Sequence, residues 1–263
     1  MSMMSSMWAY RSFIFGSVKR EFQSRYRNSM LGAAWTVINP LAMIVVYTLI
    51  FTQIMRAKLP GIDSQYAYSI YLCTGVLVWG YFAEILTRAQ NVFIENANLI
   101  KKINFPRLCL PIVIVANATL NFVIIFGLFT LFLILSGSFP GFVYFAMIPL
   151  LIVQVAFSIG LGITLGVLNV FFRDVGQFFS VVIQFWFWLT PIVYPITILP
   201  EAVRAYLVYN TMLNLMVGYQ DIIVAQRLPD WESMWPITLL AFGFCVFGMM
   251  IFRKRSGEMV DEL

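Results

Sequence analysis

The sequence has no histidine and few charged residues of either sign. Charged residues make up 11% of the 263 residues, whereas 61% are hydrophobic. A soluble globular domain has about 25% charged residues, and so few charges cannot cover the apolar surface of a soluble protein. The absence of histidine also removes the commonest acid–base group and metal ligand. The composition therefore indicates an integral membrane protein.

Motifs for several common functions are also missing. The three cysteines, Cys73, Cys109 and Cys245, lie in apolar runs and lack the spacing of metal ligands. The glycine-rich stretch GLGITLG (160–166) lacks the lysine and the Ser/Thr of a nucleotide-binding P-loop. No Asp, Glu or Lys lies in the middle of a long apolar run, although proton-driven carriers usually need such groups. Glu84 and Arg88 are one helical turn apart at the predicted cytoplasmic end of such a run, and we expect them to pair. We therefore expect no cofactor on this chain, and any active transport needs energy from another chain.

Long charge-free windows mark the membrane spans. A helix needs about 20 mostly apolar residues to cross the hydrocarbon core. The stretch between Arg107 and Arg173 is too long for one span, and SGSFPG (136–141) divides it because Gly and Pro favour a turn. The sequence thus predicts an all-α integral membrane protein with one transmembrane domain over residues 1–263. The six predicted spans are 31–55, 64–86, 107–135, 142–172, 175–195 and 233–252.

The positions of the basic residues predict the orientation. Segment 201–224 is apolar enough to suggest a seventh span, but it contains Glu201, Arg204 and Asp221. With six spans, 13 of the 17 Lys and Arg residues lie on one side, which the positive-inside rule assigns to the cytoplasm. A seventh span would put RKR (253–255) outside. We therefore predict that both termini are cytoplasmic and that 196–224 forms short re-entrant helices on the outer face.

Two predicted cytoplasmic segments mix apolar and basic residues. Residues 8–27 fit an amphipathic helix in the membrane interface, although a basic tail that only sets the topology is the alternative. Residues 95–105 combine apolar side chains with Lys101 and Lys102, which suits docking into a groove of a partner. On residue chemistry alone, an interfacial loop explains 95–105 equally well. The basic residues cluster between apolar runs rather than along one face, so nucleic acid is not a predicted partner.

Polar and small residues form one stripe on each of the fourth and fifth predicted spans. Small residues let helices approach closely, so the stripe on the fourth span favours helix packing over a pore lining. On the fifth span, the residues leave these two interpretations equally open. The stripe on the fourth span consists of Gln154, Ser158, Gly162, Gly166 and Asn169, and that on the fifth of Gln177, Ser180, Gln184 and Trp188.

Three segments together point to a known family. They are RYRNSMLGAAWTVINPL (25–41) at the first span, LIKKINFPR (99–107) before the third, and RDV…FWLTPIVYP (173–195) over the fifth. With these motifs in this order, the chain resembles the membrane subunit, or permease, of ABC transporters that export polysaccharides, the type 2 exporter class. The resemblance covers nearly the whole chain.

The resemblance implies a transport subunit rather than an enzyme. It implies a homodimer in the bacterial inner membrane, bound to two ATP-binding subunits that use ATP and Mg. It also implies that the N-terminal helix and the loop before the third span contact these subunits, and that short re-entrant gate helices occupy 196–224. The coupling residues implied in this way are Glu95, Asn98, Leu99, Ile100, Lys101, Lys102 and Phe105.

The implied cargo is a glycan carried on a lipid pyrophosphate. The form FWLTPIVYP favours O-antigen of lipopolysaccharide, with teichoic acid and capsule as alternatives. Because sugar rings stack on aromatic side chains, we predict that Gln177, Gln184, Trp188 and Tyr194 line the translocation path; an interfacial aromatic belt is the simpler explanation of the aromatics. Arg25, Arg27 and Arg88 are candidates for binding the pyrophosphate, although the topology rule alone also explains them.

Three rival functions remain at the level of the sequence. An ABC permease for drugs or lipids would share the architecture, but it often carries a large outer domain. A membrane glycosyltransferase or glycan ligase would need an aqueous site with clustered acids or arginines, and no paired-acid spacing marks one. An ion channel is the weakest alternative, because no segment resembles a selectivity filter or a ring of charges.

Overall fold

The structure is a computed structural model that describes residues 11–26, 34–54, 59, 66–102 and 107–263. The described residues are helical wherever they form regular structure, and no strand occurs among them. The prediction of an all-α protein is therefore confirmed for this part of the chain. The long helices are α1 (Arg11–Tyr26), α2 (Trp35–Thr48, continued by a π-helical segment Leu49–Ile54), α3 (Ala67–Glu95), α5 (Cys109–Leu135), α6 (Met147–Phe171, preceded by a 3-10 segment Gly141–Ala146), α7 (Asp174–Leu189) and α10 (Trp235–Arg255, preceded by a 3-10 segment Glu232–Met234). The shorter helices are α4 (Ala97–Lys102), α8 (Glu201–Leu207), α9 (Thr211–Ile223) and α11 (Glu258–Glu262).

Four helices in the described part are long and apolar enough to cross a membrane. They are Ala67–Glu95, Cys109–Leu135, Gly141–Phe171 and Glu232–Arg255. The apolar part of α2, Val37–Phe51, is shorter. Helix α7 has 16 residues and is about 24 Å long, less than the hydrocarbon core of about 30 Å. The structure therefore shows a multi-pass helical membrane protein. Four of the described helices qualify as membrane spans by their length and composition.

Helix α6 lies at the centre of the bundle and packs closely against α3 and α10. A Cβ atom on Gly162 would lie 2.5 Å from Cβ of Ala89 in α3, and one on Gly160 would lie 2.6 Å from the backbone nitrogen of Cys245 in α10. Earlier on the same helix, the Gln154 amide donates to the carbonyl of Val78 of α3 at 2.9 Å, and this side chain is fully buried. The prediction that the stripe on the fourth span serves helix packing is confirmed.

Helix α9 lies along the N-terminal half of α3. At one end, Asn210 accepts a hydrogen bond of 2.8 Å from the indole of Trp186, which in turn stacks edge-on against Trp79 of α3. At the other end, Val224 packs against the cluster that Leu59 forms with Ala67 and Tyr71 at the start of α3. These two points on α3 are about 18 Å apart, which matches the length of α9. Helix α9 is buried between α3 and α6 rather than exposed at the surface.

Two helices near the same end of the bundle differ from the simple sequence patterns. Helix α3 continues to Glu95, beyond the predicted end of the second span at residue 86, because its polar residues in the last turns find partners on other helices. In α1, Phe13 and Ile14 pack against the bundle, whereas Phe15 points away and is 73% exposed. The apolar residues of α1 thus lie on two sides of the helix, one against the bundle and one exposed on the single chain. Residues 8–10 and 27 of this predicted helix lie outside the described residues.

Candidate functional site

One face of α7 is polar and is not covered by the chain's own helices. Along this face, Gln184 lies seven residues and Trp188 eleven residues after Gln177. These spacings put the three side chains within about 40° of one another around the helix. All three are exposed, Trp188 by 59%. Neither glutamine amide has a hydrogen-bond partner among the described residues. Because an unpaired amide facing lipid is costly, this face is suited to a polar partner outside the chain.

The opposite side of α7 is held firmly against α3 and α6. Gly176 donates its backbone N–H to the side-chain oxygen of Asn169 at 2.9 Å, and a Cβ there would lie 2.9 Å from the Asn169 amide nitrogen. Asn169 donates in turn to the carbonyl of Gln90 and to the side-chain oxygen of Asn91, both at 3.0 Å. This anchoring fixes the rotation of α7, so that Gln177 and Gln184 face outward from the bundle.

The chain leaves the helical conformation after Leu189, and side chains of α3 and α9 hold the irregular segment 190–195. The Tyr71 hydroxyl lies 2.9 Å from the carbonyl oxygens of both Pro191 and Tyr194 and donates to them. The Gln220 amide donates to the same Pro191 carbonyl at 3.1 Å. Backbone groups outside a helix must find partners at membrane depth, and these side chains supply them. We call this set of contacts the tether.

The tether also draws the segment very close to α3. Tyr68, one turn before Tyr71, donates its hydroxyl to the carbonyl of Val193 at 2.9 Å. A Cβ on Gly75 would lie 3.1 Å from the carbonyl oxygen of Ile192, so only a small residue fits at this position. The end of the fifth span at residue 195 was predicted from the sequence, whereas the contacts of the two tyrosines were not. Two tyrosines spaced one turn apart at the start of a span were the available signal.

Tyr194, a predicted path residue, belongs to this irregular segment. It is half-buried, and its hydroxyl donates to the carbonyl of Trp188 at 2.7 Å. The same turn is closed by Asn210, whose amide donates to the Leu189 carbonyl and to the Thr190 hydroxyl at 3.1 and 3.0 Å. Tyr194 therefore caps the end of α7 beside Trp188 and shares one surface with it.

The predicted coupling segment forms the short helix α4, directly after α3. Its exposed side carries Glu95, Asn98 and Lys101, whereas Leu99 is half-buried and Ile100 is buried against the chain's own helices. The side chain of Lys102 and the whole of Phe105 lie outside the described residues. The structure thus brings together an exposed polar side of the segment and an apolar side that holds it to the bundle.

Charged residues of α1 and α3 form a cluster beside α4. Arg88 is ion-paired with Glu21 of α1 and lies 3.6 Å from the carboxylate of Glu84, so the predicted Glu84–Arg88 pair is confirmed. Asn117 and Asn121 of α5 donate to Glu21 and Glu84 at 2.5 and 3.0 Å. We call these five residues the charged cluster. It joins three helices and neutralises Arg88 with two carboxylates.

A cavity of about 530 Å³ lies between the charged cluster and α4. Its polar lining consists of Ser17, Arg20, Glu21, Arg88, Glu95 and Asn96. Its two arginines are thus balanced by two glutamates in the same wall. Of the predicted pyrophosphate residues, only Arg88 has a described side chain, since that of Arg25 and the whole of Arg27 lie outside the described residues.

Residues 13–224 match the family model of the ABC-2 type transporter. The chain belongs to the ABC-2 type transporter family. The matched region of this ABC-2 family chain begins in α1 and ends just after α9, so it includes the predicted coupling helix α4, the polar face of α7 and the tether.

Curated relatives of this ABC-2 family chain match it over almost its whole length. The chain is 30% identical to the O-antigen export system permease protein RfbA of Myxococcus xanthus, over 98% of this chain and 97% of the relative. It is 33% identical to a protein of the same name from Klebsiella pneumoniae, over 93% and 92%. The polysialic acid transport protein KpsM of Escherichia coli is 21% identical over 92% and 93%.

Proposed function

We propose that this ABC-2 family chain is the membrane subunit of an exporter that moves lipid-linked O-antigen across the bacterial inner membrane. The relatives named as O-antigen export permeases are 30–33% identical to it, whereas the polysialic acid transport protein KpsM is 21% identical. This difference favours O-antigen over polysialic acid as the cargo. ATP hydrolysis is the task of two separate ATP-binding subunits, and this chain itself catalyses no reaction.

The observation that carries the proposal is the polar face of α7. Gln177, Gln184 and Trp188 are exposed on one chain, and two amides exposed to hydrocarbon would be costly. In a homodimer, two copies of this face would enclose a path with amide groups for sugar hydroxyls and an indole for sugar rings. A ligase or transferase would instead need clustered ionisable groups, and this face carries none.

The first test deletes the gene and locates the lipid-linked polymer. We expect the polymer to accumulate inside the cell, and the wild-type chain to restore surface glycan. Replacing Gln184 with Leu should lower export without reducing insertion, because the side chain keeps its size but loses its amide. The control is Phe242→Leu on the exposed side of α10. Unchanged surface glycan after deletion would refute the function, whereas normal export by Gln184→Leu would refute only the path.

The proposed topology has six spans, with both termini in the cytoplasm and a re-entrant α8–α9. Two sets of contacts between helices support α2 and α7 as the two spans beyond the four that length alone supports. Phe51 of α2 stacks on Tyr68 near the start of α3, with ring centroids 5.1 Å apart. The segment 176–193 runs alongside α3: Gly176 contacts Gln90, and Val193 contacts Tyr68. Gln90 and Tyr68 are about 33 Å apart along α3, which is close to the thickness of the hydrocarbon core. Reporter tags at residues 2 and 262 should both report the cytoplasm, and opposite sides would refute this topology.

Coupling to the ATP-binding subunits is assigned to α1 and to the exposed side of α4. The polar residues Glu95, Asn98 and Lys101 point away from the bundle and are free for a partner surface. Co-purification with the ATP-binding subunit should weaken when Lys101 is changed to Glu, because the charge on the exposed side is reversed. The path variant Gln184→Leu should leave co-purification unchanged.

Pyrophosphate binding is assigned mainly to Arg25 and Arg27. Arg88 is shared by two carboxylates, which leaves it less charge for a phosphate. The double variant Arg25→Gln and Arg27→Gln should reduce export while leaving insertion and assembly intact. Normal surface glycan in that variant would refute the assignment.

A further inference from the structure

The coupling helix α4 cannot hold its own shape. It has six residues, fewer than two turns, and helices this short are unstable in water without tertiary contacts. Its position must therefore be set by the residues that pack on its inner side. Any force delivered to α4 by an ATP-binding subunit has to pass through the same residues.

The apolar contact to α4 includes the helix α11. Met259 of α11 is fully buried in one cluster with Ile100 of α4, Phe252 of α10 and Val167 of α6. Val260 packs at the edge of the same cluster. Helix α11 contacts both α4 and α6, so Met259 fills the space between the coupling helix and the central helix of the bundle.

A polar contact joins the same two regions independently. The guanidinium of Arg107, just after the coupling segment, donates to the carbonyl of Ser256, just before α11. Arg255 is ion-paired with Glu258 in the first turn of α11 and lies over the ring of Phe171, with 5.9 Å from its guanidinium carbon to the ring centroid. The segment 256–263 is therefore attached to the coupling segment, to α10 and to the end of α6.

We infer that segment 256–263 is a brace that positions α4 and transmits its movement to α6 and α10. Met259 is the positioning residue at its centre. The inference rests on the proposed export function and on the role of α4 as the coupling helix. It assigns a mechanical role to residues that lie beyond the region matched by the family model.

The test uses the complete complex of this chain with its ATP-binding subunit, reconstituted in lipid. The variant Met259→Ala keeps the exposed side of α4 but leaves a void beneath it. Substitutions along a coupling network change coupling about 2- to 30-fold. We expect a loss in this range in export and in the stimulation of ATP hydrolysis by lipid-linked glycan, with co-purification and basal ATP hydrolysis unchanged.

Two further variants separate positioning from general stability. Met259→Leu keeps the volume and should restore both readouts. Met250→Ala, on the same chain but 60% exposed on α10, should behave as wild type. Stimulated hydrolysis and export at wild-type levels in Met259→Ala would overturn the brace, and so would a parallel loss of co-purification. If the export function itself were wrong, the wild-type complex would fail in the same assay.

Discussion

The tether predicts a strong coupling between Tyr71 and Gln220. The variant Tyr71→Phe removes one hydroxyl whose proton is shared by the carbonyls of Pro191 and Tyr194. Pro191 keeps its second donor, the Gln220 amide, whereas Tyr194 loses the only donor to its carbonyl among the described residues. In Gln220→Met, both carbonyls keep a donor, since the Tyr71 hydroxyl still donates to Pro191 and to Tyr194. Only the double variant leaves the buried Pro191 carbonyl without a partner.

The expected losses of stability follow from the number of hydrogen-bond donors that each carbonyl keeps. A single hydrogen bond contributes about 0.5–1.5 kcal/mol, and a buried acceptor left unpaired costs about 1–3 kcal/mol. We expect Tyr71→Phe to lower the free energy of unfolding by about 1–2 kcal/mol and Gln220→Met to lower it by about 1 kcal/mol. The double variant should lose about 1 kcal/mol more than the sum, within the range of interaction energies for residues that share a partner.

The assay is equilibrium unfolding of the purified protein in mixed detergent micelles, as a double-mutant cycle. The matched control is Tyr66→Phe at the start of the same helix, whose hydroxyl has no hydrogen bond among the described residues. This control should stay within about 0.5 kcal/mol of wild type. Strictly additive losses, or a Tyr66→Phe variant as unstable as Tyr71→Phe, would refute the shared Pro191 carbonyl as the basis of the tether.

Two other predictions concern helix contacts. Gly248→Ala should destabilise the bundle by about 1–3 kcal/mol, because a Cβ there would lie 2.8 Å from the carbonyl oxygen of Gly160. The control Gly243→Ala, on the same helix, places its Cβ in open space and should be neutral or slightly stabilising. Equal unfolding curves for the two variants would contradict the packing. Arg88→Gln should lower the free energy of unfolding by about 1 kcal/mol, because it removes the ion pairs of Arg88 with Glu21 and Glu84 in a partly exposed site. A loss of export without any loss of stability would instead favour a direct role of Arg88 at the pyrophosphate.

The long helices were predictable because the membrane imposes a simple rule on the sequence. Charge-free windows of sufficient length locate α3, α5, α6 and α10, and the glycines and prolines of 136–141 separate α5 from α6. The stripe of small residues on α6 also predicted its role, since close approach of α3 and α10 requires side chains without bulk. These features depend on local composition and periodicity.

The tether and the charged cluster were not predictable because both depend on contacts between distant parts of the chain. Tyr71 and Pro191 are 120 residues apart, and Arg88 and Glu21 are 67 residues apart. A single sequence gives the period of each helix but not its rotation against a helix far along the chain. The Glu84–Arg88 pair was predicted because its partners lie one turn apart on one helix.

Helix α3 connects the coupling segment to both ends of the polar helix α7. At its C-terminal end it continues through Asn96 into α4, and Gln90 lies near the start of α7, where its amide is 3.4 Å from the carbonyl of Gly176. Toward its N-terminal end, Tyr71 holds the segment that follows α7. With 29 residues, α3 is about 43 Å long, and close packing against α6 makes it stiff. In the proposed homodimer, we therefore expect a displacement of α4 to move α7 as a whole rather than bend it. The glutamine face would then shift relative to the same face of the second copy.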